Sequence, residues 1–157
     1  MKTHTYYLDI VTQMAKENVE SGQGGPFAAI VVRNGEIISR GYNRVEVNHD
    51  PTSHAELNAI REACRILGTT QLHDCILYAS GEPCPMCTGG IYWAKLGAVY
   101  FACSKKEARE IGFPDPLGSF YQEMGDTPEK RTVLIKQIST ETRLTPFYSW
   151  LRHNKEE

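Results

Sequence analysis

Two short stretches carry the residue types most able to do chemistry. His54-Ala55-Glu56 supplies an imidazole and, two positions on, a carboxylate, while Pro83-Cys84-Pro85-Met86-Cys87 supplies a pair of thiols. One histidine and two cysteines suit a Zn2+ ion, whose protein sites use imidazole nitrogen and thiolate sulfur. Three such ligands leave a fourth position open, which is the arrangement of a catalytic zinc rather than a structural one. Glu56 is close enough to His54 to reach a water at that position without being a ligand, so it is the candidate for moving protons. A closed structural site would need a fourth side chain, and His49 and His73 do not sit at customary spacing from the other three.

The elements around these stretches must bring them together. Leu57, Ile60, Cys64 and Leu67 recur at helical spacing before Gly68, which predicts a helix opening at His54, with Thr52 or Ser53 as its cap. His54 and Glu56 then lie in its first turn. Cys75 to Ala79 reads as a buried strand, and Gly81-Glu82-Pro83 leads out of it. A second helix, over about 85–95, begins at the cysteines with Pro85 in its first turn. A helix N-terminus is electropositive and favours thiolates, so two helix N-termini are expected to converge on one metal.

The rest of the chain supplies a scaffold. Tyr7, Ile10, Val11, Met14, Ala15 and Val19 predict a helix over about 5–21, ended at Gly22. After the loop Gly24-Gly25-Pro26, the apolar run Phe27 to Val32, the turn Asn34-Gly35 and the return Glu36 to Tyr42 predict a hairpin. Asn43 to Ser53 is polar and irregular. Ala98 to Ala102 reads as a strand, Lys105 to Ile111 as a short helix with a solvated charged face, Gly112 to Thr127 as a loop, and Thr132 to Ile138 as a last strand. Thr145-Pro146 starts a final helix carrying Phe147, Tyr148, Trp150 and Leu151. A hairpin followed by alternating strands and helices argues an α/β fold with a mixed five-stranded sheet and helices on both faces.

Length and composition set the class. The 157 residues suit one domain over 1–157, and 41% hydrophobic with 23% charged residues is ordinary globular composition. A net charge of −2 argues against a protein living on nucleic acid, whose footprint is a basic patch. The start, Met1-Lys2-Thr3-His4-Thr5, carries no secretory signal, and no apolar run is long enough to span a bilayer, so a cytoplasmic location is expected. In that compartment cysteines are thiols or metal ligands. Cys64, Cys75 and Cys103 lie in or beside apolar segments and are read as small buried hydrophobes.

The combined pattern, His54-Ala55-Glu56 followed by Pro83-Cys84-Pro85-Met86-Cys87, resembles the zinc-dependent cytidine-deaminase-like superfamily over about Phe27 to Asp115. That resemblance implies a three-layer α/β/α sandwich, a bound Zn2+ on His54, Cys84 and Cys87, and hydrolytic removal of an exocyclic amine from a base with Glu56 as the catalytic acid and base. It also implies a backbone N–H contribution from Cys84, and a homodimer. Within the superfamily the chain is most similar to guanine deaminases, through Gly24-Gly25-Pro26-Phe27, Asp50-Pro51-Thr52-Ser53-His54-Ala55-Glu56, Glu82-Pro83-Cys84-Pro85-Met86-Cys87, Ile91-Tyr92-Trp93-Ala94 and Gly112-Phe113-Pro114-Asp115. This implies conversion of guanine to xanthine and ammonia. It assigns substrate binding to Phe27 as a stacking surface, Asn43 at the base edge, Ala55, and Asp115 as acceptor for the guanine N–H face.

The chain departs from the guanine deaminase pattern in three places. Gly81 stands where that family carries cysteine, Pro116-Leu117-Gly118-Ser119 lengthens the loop after Asp115, and the tail Arg152 to Glu157 lacks a terminal aromatic. Tyr148 or another aromatic of the last helix is the expected substitute. Three other readings stay open at this stage. One is a deaminase of guanosine or another aminopurine or pterin. Another is a tRNA adenosine deaminase, which calls for a basic surface that no Lys/Arg cluster near the motifs supplies. The last is a zinc-stabilised binding module without turnover.

Overall fold

The computed structural model describes residues 1–127 and 130–153. The chain divides into two compact units, Met1–Phe113 and Pro114–Glu157.

The first unit is built on a four-stranded mixed sheet in the order β2-β1-β3-β4. β1 (Ala28–Arg33) pairs antiparallel with both β2 (Glu36–Tyr42) and β3 (Cys75–Gly81), and β3 pairs in parallel with β4 (Ala98–Cys103). Asn34 and Gly35 both take positive φ, 51° and 79°, as the tight hairpin turn between β1 and β2 requires.

β1 is apolar from Ala28 to Val32 because both faces of the sheet are covered there. Ala28, Ile30 and Val32 pack with Tyr7, Val11, Met14 and Ala15 of α1 (His4–Glu20). Ala29 and Val31 pack with Ala55, Ala59, Ile60 and Ala63 of α3 (Ala55–Leu67), a cluster that Ala94 also joins. That gives the expected three layers. Between β2 and α3 the polar segment holds one short helical turn, α2 (Val45–Asn48).

The approach of α3 to β2 depends on Gly41. A Cβ at that position would lie 2.1 Å from the Ala55 carbonyl oxygen and 2.5 Å from the Ala59 nitrogen. Both are backbone atoms that cannot turn aside. Ser39 Oγ adds a 2.7 Å hydrogen bond to the Ala59 carbonyl beside it. Gly41→Ala is therefore expected to destabilise the protein by about 3 kcal/mol, the upper range for an overpacked contact, read as a lower denaturant midpoint at unchanged slope.

Several sequence expectations are corrected. Ser53 and Thr52 do not cap α3. Its N-cap is His54, with no side-chain hydrogen bond, and the helix begins at Ala55. Ser53 is buried and accepts from Asn48 and Asn58 instead, while Thr52 closes a turn on Asp50. Val19 is exposed, and the polar Asn18 takes the buried place on α1. Cys75 is buried and Cys64 half-buried, but Cys103, at the end of the edge strand, is exposed. α4 (Pro85–Trp93) and α5 (Lys105–Glu110) fall close to the expected bounds, and Ser104 and Glu107 form a capping box on α5.

In the second unit, the stretch expected to be a loop contains α6 (Gly118–Glu123), and the last helix is α7 (Thr145–His153). The fifth strand is not formed. Residues 132–138 are irregular, with Val133, Leu134 and Ile138 exposed at 71%, 70% and 82%. An apolar run of this composition is a strand only when a ladder partner takes up its backbone groups, and none does so among the described residues.

Candidate metal centre

His54 stands at the N-cap of α3 and Glu56 in its first turn. Cys84 is the N-cap of α4, Pro85 follows it inside the helix, and Cys87 lies in the same first turn. The first amides of a helix have no acceptors within it, so both ends turn positive N–H groups toward the site.

The two helices bring the three ligand residues together. One potential ligand atom each from His54, Cys84 and Cys87 lies within 4.8 Å of the others. His54 Nδ1 is 3.5 Å from both sulfurs. This is the one such group among the described residues, and neither His49 nor His73 joins it. Glu56 stays outside the group but touches it: the Cys87 thiol donates to Glu56 Oε2 at 3.2 Å. Glu56 is 5% exposed, a carboxylate that reaches the centre from within the core.

The protons follow from this packing. A hydrogen-bonding contact with Cys87, with a further one to His54, pulls Cys84 down to about 4. The same bond to Cys84, together with burial and the nearby Glu56 carboxylate, pushes Cys87 up. The two neighbouring sulfurs thus differ in proton affinity, and a bound cation would leave both as thiolates. The hydrogen bond to Cys84 raises His54. Burial raises Glu56, opposed by its hydrogen bonds and by His54, so the carboxyl holds a proton more readily than one in water. One imidazole and two adjacent thiols are a donor set that fits Zn2+, and among the described residues no fourth side chain joins the group.

Other predicted site residues fall beside this centre or outside the first unit. Phe27 is half-buried, packs on the cluster containing Ala55, and meets Phe113 edge to face at 5.6 Å between centroids. A Cβ at Gly81 would come within 3.1 Å of the Phe27 ring, so a side chain there would require the ring to shift. Asn43 is paired to Phe27 through its backbone, N–H to carbonyl at 3.1 Å. Ala55 is fully buried at the start of α3. Asp115 belongs to the second unit, where one carboxylate oxygen accepts the Leu117 N–H at 3.1 Å. Tyr148 lies on α7, and residues 154–157 of the tail are outside the described residues.

Asn18 escapes a reading based on apolar residues alone. It is 2% exposed and lies on the stripe of Tyr7, Val11 and Met14. A polar residue in register with an apolar stripe was the legible signal, because a buried amide must be hydrogen-bonded.

Comparison with known proteins agrees with this geometry. Residues 1–103 match the family model for the cytidine and deoxycytidylate deaminase zinc-binding region. Guanine deaminase of Bacillus subtilis (strain 168) is 46% identical over 155 residues, covering 98% of both chains. The X-ray structure of guanine deaminase from Bacillus subtilis superposes with a TM-score of 0.91 at 45% identity, covering 96% of this chain and 95% of that one. A tRNA-specific adenosine deaminase of Aquifex aeolicus (strain VF5) is 43% identical over 102 residues, which is 65% of this chain and 67% of its own. A family model that spans the helix ends bearing His54 and Cys84, and a relative matched from end to end, have one meaning: the chain belongs to the cytidine and deoxycytidylate deaminase zinc-binding family.

Proposed function

We propose that the protein hydrolyses guanine to xanthine and ammonia. The observation that carries this reading is the extent of similarity. The match to a guanine deaminase runs through 98% of the chain, whereas the match to the tRNA-specific adenosine deaminase of Aquifex aeolicus covers 65%. The net charge of −2 supports a small purine over RNA.

His54, Cys84 and Cys87 would hold the zinc. When bound, it supplies a Lewis acid that makes a water nucleophilic near neutral pH. Glu56 takes the proton of the attacking water and hands it to a ring nitrogen, which makes the amine-bearing carbon more electrophilic. It then takes the proton of the newly added hydroxyl and delivers it to the departing amine, so the C–N bond breaks, ammonia leaves and xanthine remains. A buried carboxyl with a raised affinity for protons suits both halves of that cycle. Phe27 offers a π face to the base and Asn43 a hydrogen bond to its edge. The resemblance to guanine deaminases also assigns substrate binding to Ala55 and to Asp115, the latter as an acceptor for N–H groups of the base.

Residues 1–157 act as one functional domain on this reading, a view supported by the end-to-end similarity. The protein works as a homodimer in the cytoplasm. Tyr92 and Trp93, 79% and 87% exposed at the end of α4, are the kind of apolar surface a second copy covers, and sedimentation equilibrium reads that directly. Free thiols at a metal site fit a reducing compartment, and no helix among the described residues is long and apolar enough to cross a membrane.

Ammonia release by the zinc-loaded protein from guanine, guanosine, adenine, cytosine and cytidine tests the reading. Turnover of guanine above the others supports it. Preference for guanosine would move the specificity to a nucleoside, and turnover of none would remove it.

A further inference from the structure

Among the buried polar side chains of the first unit, Asn18 is the amide that the chemistry above does not use. Asn18 ends the buried stripe of α1 and reaches two separate backbone segments with one amide. Its Nδ2 donates to the Gly25 carbonyl at 2.9 Å and to the Asn43 carbonyl at 3.1 Å. Its Oδ1 accepts from the Arg44 guanidinium, which also donates to the Asn43 carbonyl at 3.1 Å. All the hydrogen-bonding capacity of the N–H₂ group is thus spent on holding 24–25 against 43–44.

The two segments are held at backbone contact. A Cβ at Gly24 would lie 2.1 Å from the Asn43 carbonyl oxygen and 2.9 Å from Asn18 Nδ2. At this separation the Asn43 side chain has one orientation. Its Oδ1 accepts the Gly25 N–H at 3.3 Å and the Val45 N–H at 3.4 Å. Two N–H donors fix that atom as oxygen, so the other end of the amide is N–H₂, and no described residue accepts from it.

We propose that Asn18 is a positioning residue for base recognition: by clamping Gly25 to Asn43 it fixes the Asn43 amide so that a hydrogen-bond donor faces the purine. Asn43 therefore selects an acceptor atom on the base edge, a ring nitrogen or carbonyl oxygen, and disfavours an N–H at that place. The inference rests on the reading of Asn43 as a base contact.

The test is steady-state kinetics on guanine with zinc-loaded protein and a double-mutant cycle between positions 18 and 43. Asn18→Asp keeps the shape and the Arg44 partner but loses both N–H donors. It is expected to raise KM about tenfold with kcat within about threefold, because binding common to ground and transition states is what it removes. Asn43→Ala is expected to raise KM by a similar factor. The double variant should then lie within about twofold of Asn43→Ala alone, since Asn18 acts through Asn43.

Unchanged KM in Asn18→Asp, or effects that multiply in the double variant, would overturn the inference while leaving Asn43 as a base contact. Unchanged KM in Asn43→Ala would instead remove that contact, and the inference with it. If the position-18 variants do not fold, Arg44→Met keeps the stem of a half-buried side chain and removes its donors. It should raise KM about threefold in the parent and leave it unmoved in the Asn43→Ala background. A KM rise of equal size in both backgrounds, or in neither, would overturn the proposal.

Discussion

Glu56→Gln is expected to leave the zinc bound and to lower guanine turnover by about 10³-fold or more. Glutamine keeps the size of the side chain and its place in the first turn of α3, and it can still accept from the Cys87 thiol. It cannot take a proton from water or return one to a leaving amine. Positioned acid–base groups contribute about 10²–10⁴-fold, and on the proposed mechanism this carboxylate serves two transfers in one cycle, which places the expected loss in the upper part of that range. The measurements are xanthine formation and zinc content on the same preparation. A variant that keeps zinc and loses turnover separates catalysis from folding. It also separates an enzyme from a zinc-stabilised binding module, in which Glu56 would be a carboxylate favoured by a helix N-terminus and nothing more. Turnover within about threefold of the parent would exclude Glu56 as the proton carrier.

The second large effect is expected from Cys87→Ala. Cys87 is fully buried, bonded to Glu56 and next to both other candidate ligands, so its loss would remove one of three donors and leave Glu56 without its partner. Zinc content should fall from one per chain to below about one tenth, because a site with two remaining protein ligands competes poorly with buffer and water. Guanine turnover should fall by at least about 10³-fold with it, as the Lewis-acid contribution is several kcal/mol. The thermal midpoint should also drop toward that of chelator-treated parent protein, because a metal that binds only the folded state stabilises it by mass action. Full zinc occupancy in this variant would show that Cys87 is not a ligand.

The site was more legible in the sequence than the scaffold around it. A metal centre needs particular atoms at particular spacing, and His54, Glu56, Cys84 and Cys87 can be read as such because few other arrangements use that set. The helix starts were legible for a related reason, since Pro85 and the apolar spacing after His54 mark where each helix begins. What could not be read depends on distant partners. Val133, Leu134 and Ile135 have the composition of a strand, but composition says nothing about a neighbour to pair with. Ser53 has the chemistry of a cap and is used elsewhere, because Asn48 and Asn58 claim its hydroxyl. The orientation of the Asn43 amide is a property of two N–H groups, one of them on another segment, so only the structure exposes it.

The central claim is that the open zinc position serves a free guanine base. It is tested most directly by following xanthine formation from guanine with fully zinc-loaded protein, alongside inosine formation in a tRNA anticodon stem-loop bearing adenosine. The account predicts stoichiometric xanthine and ammonia, with kcat/KM above about 10⁴ M⁻¹s⁻¹ for guanine and no inosine in the RNA. Inosine in the RNA with no xanthine from guanine, at full zinc occupancy, would contradict it.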